Sequence, residues 1–260
     1  MEKAIHITDA NDLRHFNKKF TRIYFGNEFC ERLIPVIPEV KKIIDFCVEN
    51  KLNFTFITPY VTNKGIGGLK KIFDFLLKQK MNEYFEIVFN DYGVFNILKD
   101  SGFKLVLGRL LTKQKRGPRI VTLKNKIPEE AYKHFKDAPA SSKSMQNFLL
   151  GNNIKRIELD NLVQGINLKL DKRLKASLYY PYIYTTTTRS CLIANINKRE
   201  PNVYLCKKEC GNLVFELSSR NMPRKILIKG NTQFIFNDRI PEGLENMGVN
   251  RLVYQPKIPL

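Results

Sequence analysis

Short apolar stretches typical of β-strands alternate with amphipathic stretches typical of α-helices along most of the chain. Between Pro38 and Lys51 the apolar side chains recur every three or four positions, and this period places them on one face of a helix. The stretch 21–26, by contrast, is rich in β-branched and aromatic residues and ends at Gly26, as a strand entering a turn does. Eight segments have this strand character: 4–7, 21–26, 53–58, 85–89, 104–108, 155–159, 174–179 and 251–254.

The helical stretches fall between these strands. Predicted helices cover 38–51, 66–78, 93–99 and 142–150, another begins at Pro128, and a short one follows Asp160 as its N-cap. Eight strands separated by helices over about 250 residues are typical of a TIM-like (β/α) barrel. An open, doubly wound parallel sheet is the alternative, and it requires the first strands to lie in the middle of the sheet. We therefore predict one barrel domain over residues 1–260.

The alternation breaks near the end of the chain. Between residues 212 and 237 three short β-type segments, 213–217, 225–228 and 233–236, follow one another with only turns between them. Consecutive short strands of this kind are typical of hairpins. We predict that residues 212–237 form a β-rich hairpin insertion in the barrel.

Charge adds a possible partner to this picture. The chain carries 44 Lys and Arg against 25 Asp and Glu, a net charge of +19. The densest basic stretch, Arg109–Lys126, contains seven cations and no acid. Two interpretations stay open: a solvated loop, or a surface that binds RNA or another polyanion. No RRM, KH or zinc-finger signature accompanies the stretch.

Composition narrows the class of protein. Hydrophobic residues make up 43% of the chain, which is enough for a packed core and argues against disorder. No apolar run approaches the roughly 18 residues that a membrane span needs, and the first residues lack a signal-peptide pattern. Five cysteines in such a chain predict reduced thiols rather than disulfides. We expect a cytoplasmic protein.

The cysteines are the strongest candidates for chemistry. Cys206 and Cys210 form a C-x-x-x-C pair, Cys191 lies upstream of it, and Cys30 follows the predicted strand 21–26. Because strand ends of one kind meet at one mouth of a barrel, these four thiols are expected to converge there. Four convergent thiolates can hold an iron–sulfur cluster or a zinc ion, and unliganded thiols are the remaining alternative. Cys47 lies on the apolar face of its helix and is predicted to pack in the core.

Several motifs around these cysteines resemble the collagenase-like (U32) peptidase family, in its ubiquinone-biosynthesis branch. Residues 23–30, with the sequence IYFGNEFC, are similar to the branch's IYLGE-x-x-C segment. Residues 189–194 and 206–210 resemble its ARC-x-TAR and C-x-x-x-C segments, in the same order. Residues 90–94 and 107–111 resemble the family's D-x-G and GR-x-L segments. The similarity extends from about residue 23 to the end of the chain.

This resemblance implies a barrel-type fold and a 4Fe–4S cluster bound by Cys30, Cys191, Cys206 and Cys210, with zinc as the alternative metal. It also implies a hetero-oligomer with a second family member. Such a pair supports oxygen-independent hydroxylation in anaerobic ubiquinone synthesis, and other relatives support hydroxylation of tRNA or rRNA bases. A non-catalytic interaction subunit with a structural cluster is the third hypothesis.

Catalytic residues are less well defined by the sequence. Glu28, Arg32, Asp91 and Arg189 follow predicted strands or flank cysteines, which makes them candidates to line the same mouth. The three histidines form no H-E-x-x-H motif, and no G-x-S-x-G motif occurs. No peptidase activity is therefore expected, although the family carries a peptidase name.

Overall fold

Eight parallel strands close into a barrel in the computed structural model, which describes residues 1–79, 85–203, 206–211 and 213–260. The strands of the chain are β1 (Glu2–Ile7), β2 (Arg22–Gly26), β3 (Asn53–Ile57), β4 (Glu86–Phe89), β5 (Lys104–Leu107), β6 (Arg156–Asp160), β7 (Lys175–Tyr180), β8 (Tyr182–Thr187), β9 (Phe215–Leu217), β10 (Ile226–Lys229), β11 (Thr232–Phe236) and β12 (Val249–Tyr254). The barrel order is β1-β12-β7-β6-β5-β4-β3-β2, so strands far apart in sequence, β1 and β12, complete the ring. The predicted TIM-like (β/α) barrel is confirmed, and the open sheet is excluded.

Helices connect several of the barrel strands. They are α1 (Ile37–Glu49), α2 (Asn63–Leu77), α3 (Tyr92–Leu98), α4 (Glu129–Lys133) and α5 (Lys143–Gly151). The apolar stripe of α1, formed by Val40, Ile43, Ile44 and Cys47, is buried against the barrel, so Cys47 is a core residue. The Asp91 carboxylate accepts bonds from the first amides of α3 and fixes where that helix begins. No helix within the described residues is both long and apolar enough to cross a membrane.

One predicted helix is wrong. Residues 161–174, which follow β6, form turns and extended chain rather than a helix. The reason lies in Asp160, whose carboxylate accepts bonds from Arg109 and Arg116 instead of capping a helix. Both oxygens of the Asp160 carboxylate are thus held by guanidinium groups at the mouth of the barrel.

The inserted β-structure is larger than the hairpins that the sequence suggests. An antiparallel sheet of four strands, in the order β8-β11-β10-β9, lies between β7 and the last barrel strand β12. The predicted segments 225–228 and 233–236 correspond to β10 and β11, and β9 lies within 213–217. The sheet also takes in β8, so it begins at Tyr182, well before the predicted boundary at residue 212, which lies outside the described residues.

Side chains fill the barrel interior in layers. An apolar layer, formed by Ala4, Tyr24, Ile57, Val88, Val106, Tyr179 and Val253, occupies its middle. Buried arginines and carboxylates lie at both ends of this layer. The end formed by the carboxyl termini of the strands carries the candidate site.

Candidate metal centre at the mouth of the barrel

Cys30 is positioned by a sharp turn at the end of β2. Gly26 has φ +131°, and a Cβ atom there would lie 2.2 Å from the Ile57 carbonyl oxygen, so only glycine fits. One residue later, Asn27 Oδ1 accepts bonds from the amides of Phe29 and Cys30, both at 3.0 Å. This turn directs Cys30 over the carboxyl end of the barrel.

The other three cysteines come from the inserted sheet. The prediction had them follow the strand ending near Tyr179, but β8 intervenes, and Cys191, Cys206 and Cys210 all lie in the connection between β8 and β9. Asn195 shapes this connection, because its side chain donates to the Cys191 carbonyl (2.9 Å) and accepts from the Asn202 amide (2.8 Å).

All four predicted cysteines line one cavity of about 300 Å³. Cys30, from the barrel, thus shares this cavity with Cys191, Cys206 and Cys210, which come from the insertion. Among the described residues, no three His, Cys, Asp or Glu side chains form a group that could hold a metal ion as they stand. The thiols surround a space rather than meeting at one point.

Backbone amides point at these sulfur atoms. The Ala194 amide donates to Cys191 Sγ at 3.5 Å, and the Lys208 amide donates to Cys206 Sγ at 3.4 Å. Lys208 adopts the left-handed conformation, with φ +61°, and this turns the chain inside the C-x-x-x-C pair. Hydrogen bonds from backbone amides to sulfur are a means by which proteins stabilise cysteine ligands and set the reduction potential of a cluster.

Burial controls the ionisation of these thiols in the absence of a metal. It raises the pKa of Cys30 to about 11 and raises the pKa of Cys191 and Cys210 above their ordinary value. Burial therefore favours the protonated form of Cys30, Cys191 and Cys210. Binding of a metal group has to displace these protons, since thiolates are the ligands.

The four predicted pocket residues separate into two groups. Arg32 and Arg189 line the cysteine cavity and add positive charge to its wall. Glu28 is fully buried against Arg109, and Asp91 caps α3 in the wall of a neighbouring cavity. The structure thus brings only the two arginines to the cysteines.

The basic stretch Arg109–Lys126 is not uniformly solvated. Arg109 is fully buried and forms a two-pronged ion pair with Glu28, with Arg109 Nη2 2.6 Å from Glu28 Oε2, while its Nη1 lies 2.7 Å from Asp160 Oδ1. Arg116 is buried beside it and pairs with the other oxygen of Asp160. Burial alone lowers the pKa of Arg109, but the two carboxylates more than offset this and hold the pKa above its ordinary value. The remaining five cations, Lys113, Lys115, Arg119, Lys124 and Lys126, are exposed.

This ionic cluster, formed by Glu28, Arg109, Arg116 and Asp160 and called here the mouth cluster, was missed as a unit in the sequence. It joins the insertion to the barrel: Arg109 Nη1 donates to the Tyr182 carbonyl (3.2 Å), and the Tyr184 hydroxyl donates to the Arg109 carbonyl (3.0 Å). A signal was present, because Glu28, Arg109 and Asp160 each lie at the carboxyl end of a predicted strand.

A second cavity, of about 700 Å³, adjoins the first. Its walls come from the loops after β4 and β5 and from the strand β8. Tyr60 and Arg189 line both cavities. A molecule in the second cavity would lie next to the cysteines, at the barrel end where active sites of this fold occur.

The tyrosine series before the cysteine loop has mainly structural roles. Tyr179 is buried in the barrel interior, with the Arg109 guanidinium 4.3 Å from its ring centre. Tyr184 reaches the wall of the second cavity, where Arg116 stacks on it at 4.1 Å. Both residues belong to strands, Tyr179 to β7 and Tyr184 to β8.

Comparison with known proteins gives fold-level likeness only. No family model matches the chain, and no curated protein matches it significantly. A solved U32 peptidase aligns over 100% of this chain and 94% of its own, with 11% identity and a TM-score of 0.48. A glycoside hydrolase family 18 N-acetylglucosaminidase from Paenibacillus barengoltzii aligns over 97% and 94%, with 7% identity and a TM-score of 0.39. A chitinase from Trichuris suis aligns over 97% and 91%, with 10% identity and a TM-score of 0.37.

The barrel is established by the strand order of the chain itself. Relationship to the U32 family rests on the motifs and stays a prediction.

Proposed function

We propose that this chain is a UbiV-like protein that binds a 4Fe–4S cluster through Cys30, Cys191, Cys206 and Cys210. It acts with a UbiU-like partner subunit in oxygen-independent hydroxylation. The observation that carries the proposal is the position of the four cysteines, which are far apart in sequence yet line one cavity at the mouth of the barrel. Three of them lie in the connection between β8 and β9, and the fourth follows the barrel strand β2.

The donor set and the space fit a cluster. Four cysteine thiolates are the ligands of a 4Fe–4S cluster, whereas a single zinc ion needs all four sulfurs at about 2.3 Å from one point. A cavity of about 300 Å³ lined by all four thiols has room for the larger group. Arg32 and Arg189 in the wall favour an anionic occupant.

When bound, a 4Fe–4S cluster supplies one-electron transfer. The residues of this chain would hold it: the amides of Ala194 and Lys208 donate to sulfur, and Leu33 and Val203 add apolar side chains to the cavity wall. The adjoining second cavity offers space for a substrate beside the cluster. Hydroxylation itself is proposed from the motif resemblance, and the cavity is the feature of the structure consistent with it.

Metal analysis tests the proposal directly. Anaerobically purified protein should be brown and contain about four iron and four sulfide atoms per chain. Cys30→Ser should abolish cluster binding, because it removes the only ligand supplied by the barrel. Cys47→Ala, which alters a buried thiol in α1, should cost stability but keep the iron. A colourless wild-type protein with stoichiometric zinc would disprove cluster binding.

RNA remains a second candidate ligand, favoured by the five exposed cations between Lys113 and Lys126. If they contact phosphates, tRNA or rRNA affinity should fall steeply with salt. Replacing Arg119 and Lys124 by Gln should lower the slope of log K against log salt by about 2. Replacing the exposed Lys42 and Lys99 instead should leave it unchanged. An RNA affinity that does not change with salt concentration would exclude RNA as a ligand of this surface.

A further inference from the structure

One side chain contacts both halves of the cysteine centre. Asn231 lies in the turn between β10 and β11 and is only 5% exposed. Its Nδ2 atom lies 2.6 Å from the Phe29 carbonyl oxygen and 2.7 Å from the Thr188 carbonyl oxygen. Two carbonyl oxygens at this distance require a donor, so the orientation of the amide is defined.

Those two carbonyls belong to the chain segments that carry the cysteines. Phe29 immediately precedes Cys30 in the barrel, and Thr188 lies three residues before Cys191 in the insertion. Tyr60, in the loop after β3, completes the arrangement: its hydroxyl donates to the same Thr188 carbonyl (2.8 Å) and lies 3.1 Å from Asn231 Nδ2. The amide therefore bridges the barrel and the insertion directly beside their thiols.

The neighbouring Gly230 brings the third segment into contact with the same turn. Its carbonyl oxygen accepts from the Ile193 amide at 3.3 Å. A Cβ atom on Gly230 would lie 3.3 Å from Cys210 Cβ, so its backbone packs directly against that residue. Residues 230–231 thus contact the Cys30, Cys191 and Cys210 segments at once.

We propose that Asn231 is a positioning residue that holds the barrel thiol Cys30 opposite the insertion thiols. The claim that these thiols bind a metal rests on the proposed function, whereas the positioning role of Asn231 does not. The nature of the contact points to this role: a buried amide that donates to two carbonyls from separate parts of the fold fixes their spacing.

The test uses Asn231→Asp, which keeps the size of the side chain and removes its donors. The matched control is Asn237→Asp, at the other end of β11, where a buried amide donates to the Asn161 carbonyl (2.8 Å) away from the cysteines. Both variants remove one buried amide from the same sheet. Melting temperatures of both are measured first, and if either variant does not fold, Asn231→Ala and Asn237→Ala take the places of the two variants.

The readout is cross-linking of the metal-free, reduced protein with dibromobimane, which bridges neighbouring thiols, followed by peptide mapping. Wild type and Asn237→Asp should give a bridge between Cys30 and a late cysteine. In Asn231→Asp this bridge should fall about fivefold or more, the population change that one lost contact of ordinary strength produces. Iron retained after exposure to a chelator should fall in the same variant.

Equal bridging in Asn231→Asp and Asn237→Asp would overturn the positioning role. If instead the variants differ as expected while the wild type takes up no iron, the positioning role stands and the cluster proposal fails.

Discussion

Both ends of the barrel bury arginines against carboxylates, but the two clusters connect different parts of the molecule. At the amino ends of the strands, a base cluster is formed by Glu2, Arg22, Glu86, Arg156 and Arg251. Arg251 Nε lies 2.6 Å from Glu2 Oε2, and Arg22 Nε lies 2.8 Å from Glu2 Oε1. These pairs join β12, β1 and β2, the strands at which the ring closes.

The mouth cluster, at the opposite end, joins the barrel to the inserted sheet. Arg109 pairs with carboxylates from the ends of β2 and β6 and also donates to the Tyr182 carbonyl of β8. In the mouth cluster the side chains of Glu28 and Arg109 are fully buried. In the base cluster the side chains of Glu2 and Glu86 keep 23% and 13% exposure. The base cluster therefore closes the barrel, and the mouth cluster docks the element that carries three of the four cysteines.

The largest difference between the clusters should appear on removing one arginine from each. Arg109→Met leaves Glu28 and Asp160 buried without their shared partner, and we expect a loss of about 3–5 kcal/mol in the free energy of unfolding. Arg251→Met leaves Glu2 and Glu86 partly solvated and still near Arg22, so we expect about 1.5–3 kcal/mol. Urea unfolding of the two variants measures both losses.

The same two variants distinguish an effect on the docking of the inserted sheet from an effect on the stability of the whole fold. Under native conditions Arg109→Met should reduce iron uptake, while Arg251→Met should bind iron as the wild type does. Equal losses of stability together with equal iron content would contradict the division of tasks between the clusters.

A smaller effect is expected from Glu158, which lies between the clusters in the barrel interior. Burial raises its pKa from 4.5 to about 8, against the opposing influence of Arg251 and Arg156. Its Oε1 accepts from the Tyr24 hydroxyl (3.0 Å), and its Oε2 has no hydrogen-bond partner among the described residues. The folded protein thus retains a proton that the unfolded chain releases above about pH 4.5.

Because the folded state binds more protons in this window, the contribution of Glu158 to stability should decline as the pH rises from 4.5 toward about 8. Glu158→Gln should remove that contribution and flatten the pH dependence of urea unfolding between these limits. Glu200→Gln, at an exposed position, is the control. An unchanged profile in Glu158→Gln would show that the carboxyl is ionised in the folded state.

The smallest effect concerns a lysine near the mouth. Lys229 is 7% exposed, and its charge acts on Cys210, the residue against which Gly230 packs. If the thiols hold a cluster, Lys229→Met should lower its reduction potential on the order of tens of millivolts, since a nearby cation stabilises the reduced, more negative state. Lys225→Met, at an exposed lysine paired with Glu216, should leave the potential unchanged. Spectroelectrochemical titration measures both.

Several features of the site were predictable because they depend on local pattern. The strand at 21–26 and the glycine that ends it place Cys30 at the barrel mouth, and the parallel-strand rule then predicts its approach to the later thiols. The basic stretch was harder to interpret. Arg109 and Lys113 have the same sign in the sequence, yet one is fully buried and the other exposed, because only Arg109 meets the carboxylates of Glu28 and Asp160.

Asp160 is a second example of a side chain whose partner could not be predicted from the local sequence. An aspartate at the end of an apolar run is a good N-cap by local rules, and the sequence contains nothing nearby that contradicts it. Its actual partners, Arg109 and Arg116, lie 51 and 44 positions away. Charge pairing of that strength outweighs a single capping bond.

The periodicity of apolar residues was enough to predict eight strands alternating with helices, the core position of Cys47 and the position of Cys30 after the carboxyl end of a strand, since each depends on neighbours along the chain. Closure of the strands into a ring, through the pairing of β1 with β12, was decided by the tertiary structure. Tertiary structure decided which arginines are buried, how far the inserted sheet extends and which amide joins its cysteines to the barrel. Those outcomes depend on donors and acceptors that meet only after the ring closes, and no local period encodes such meetings.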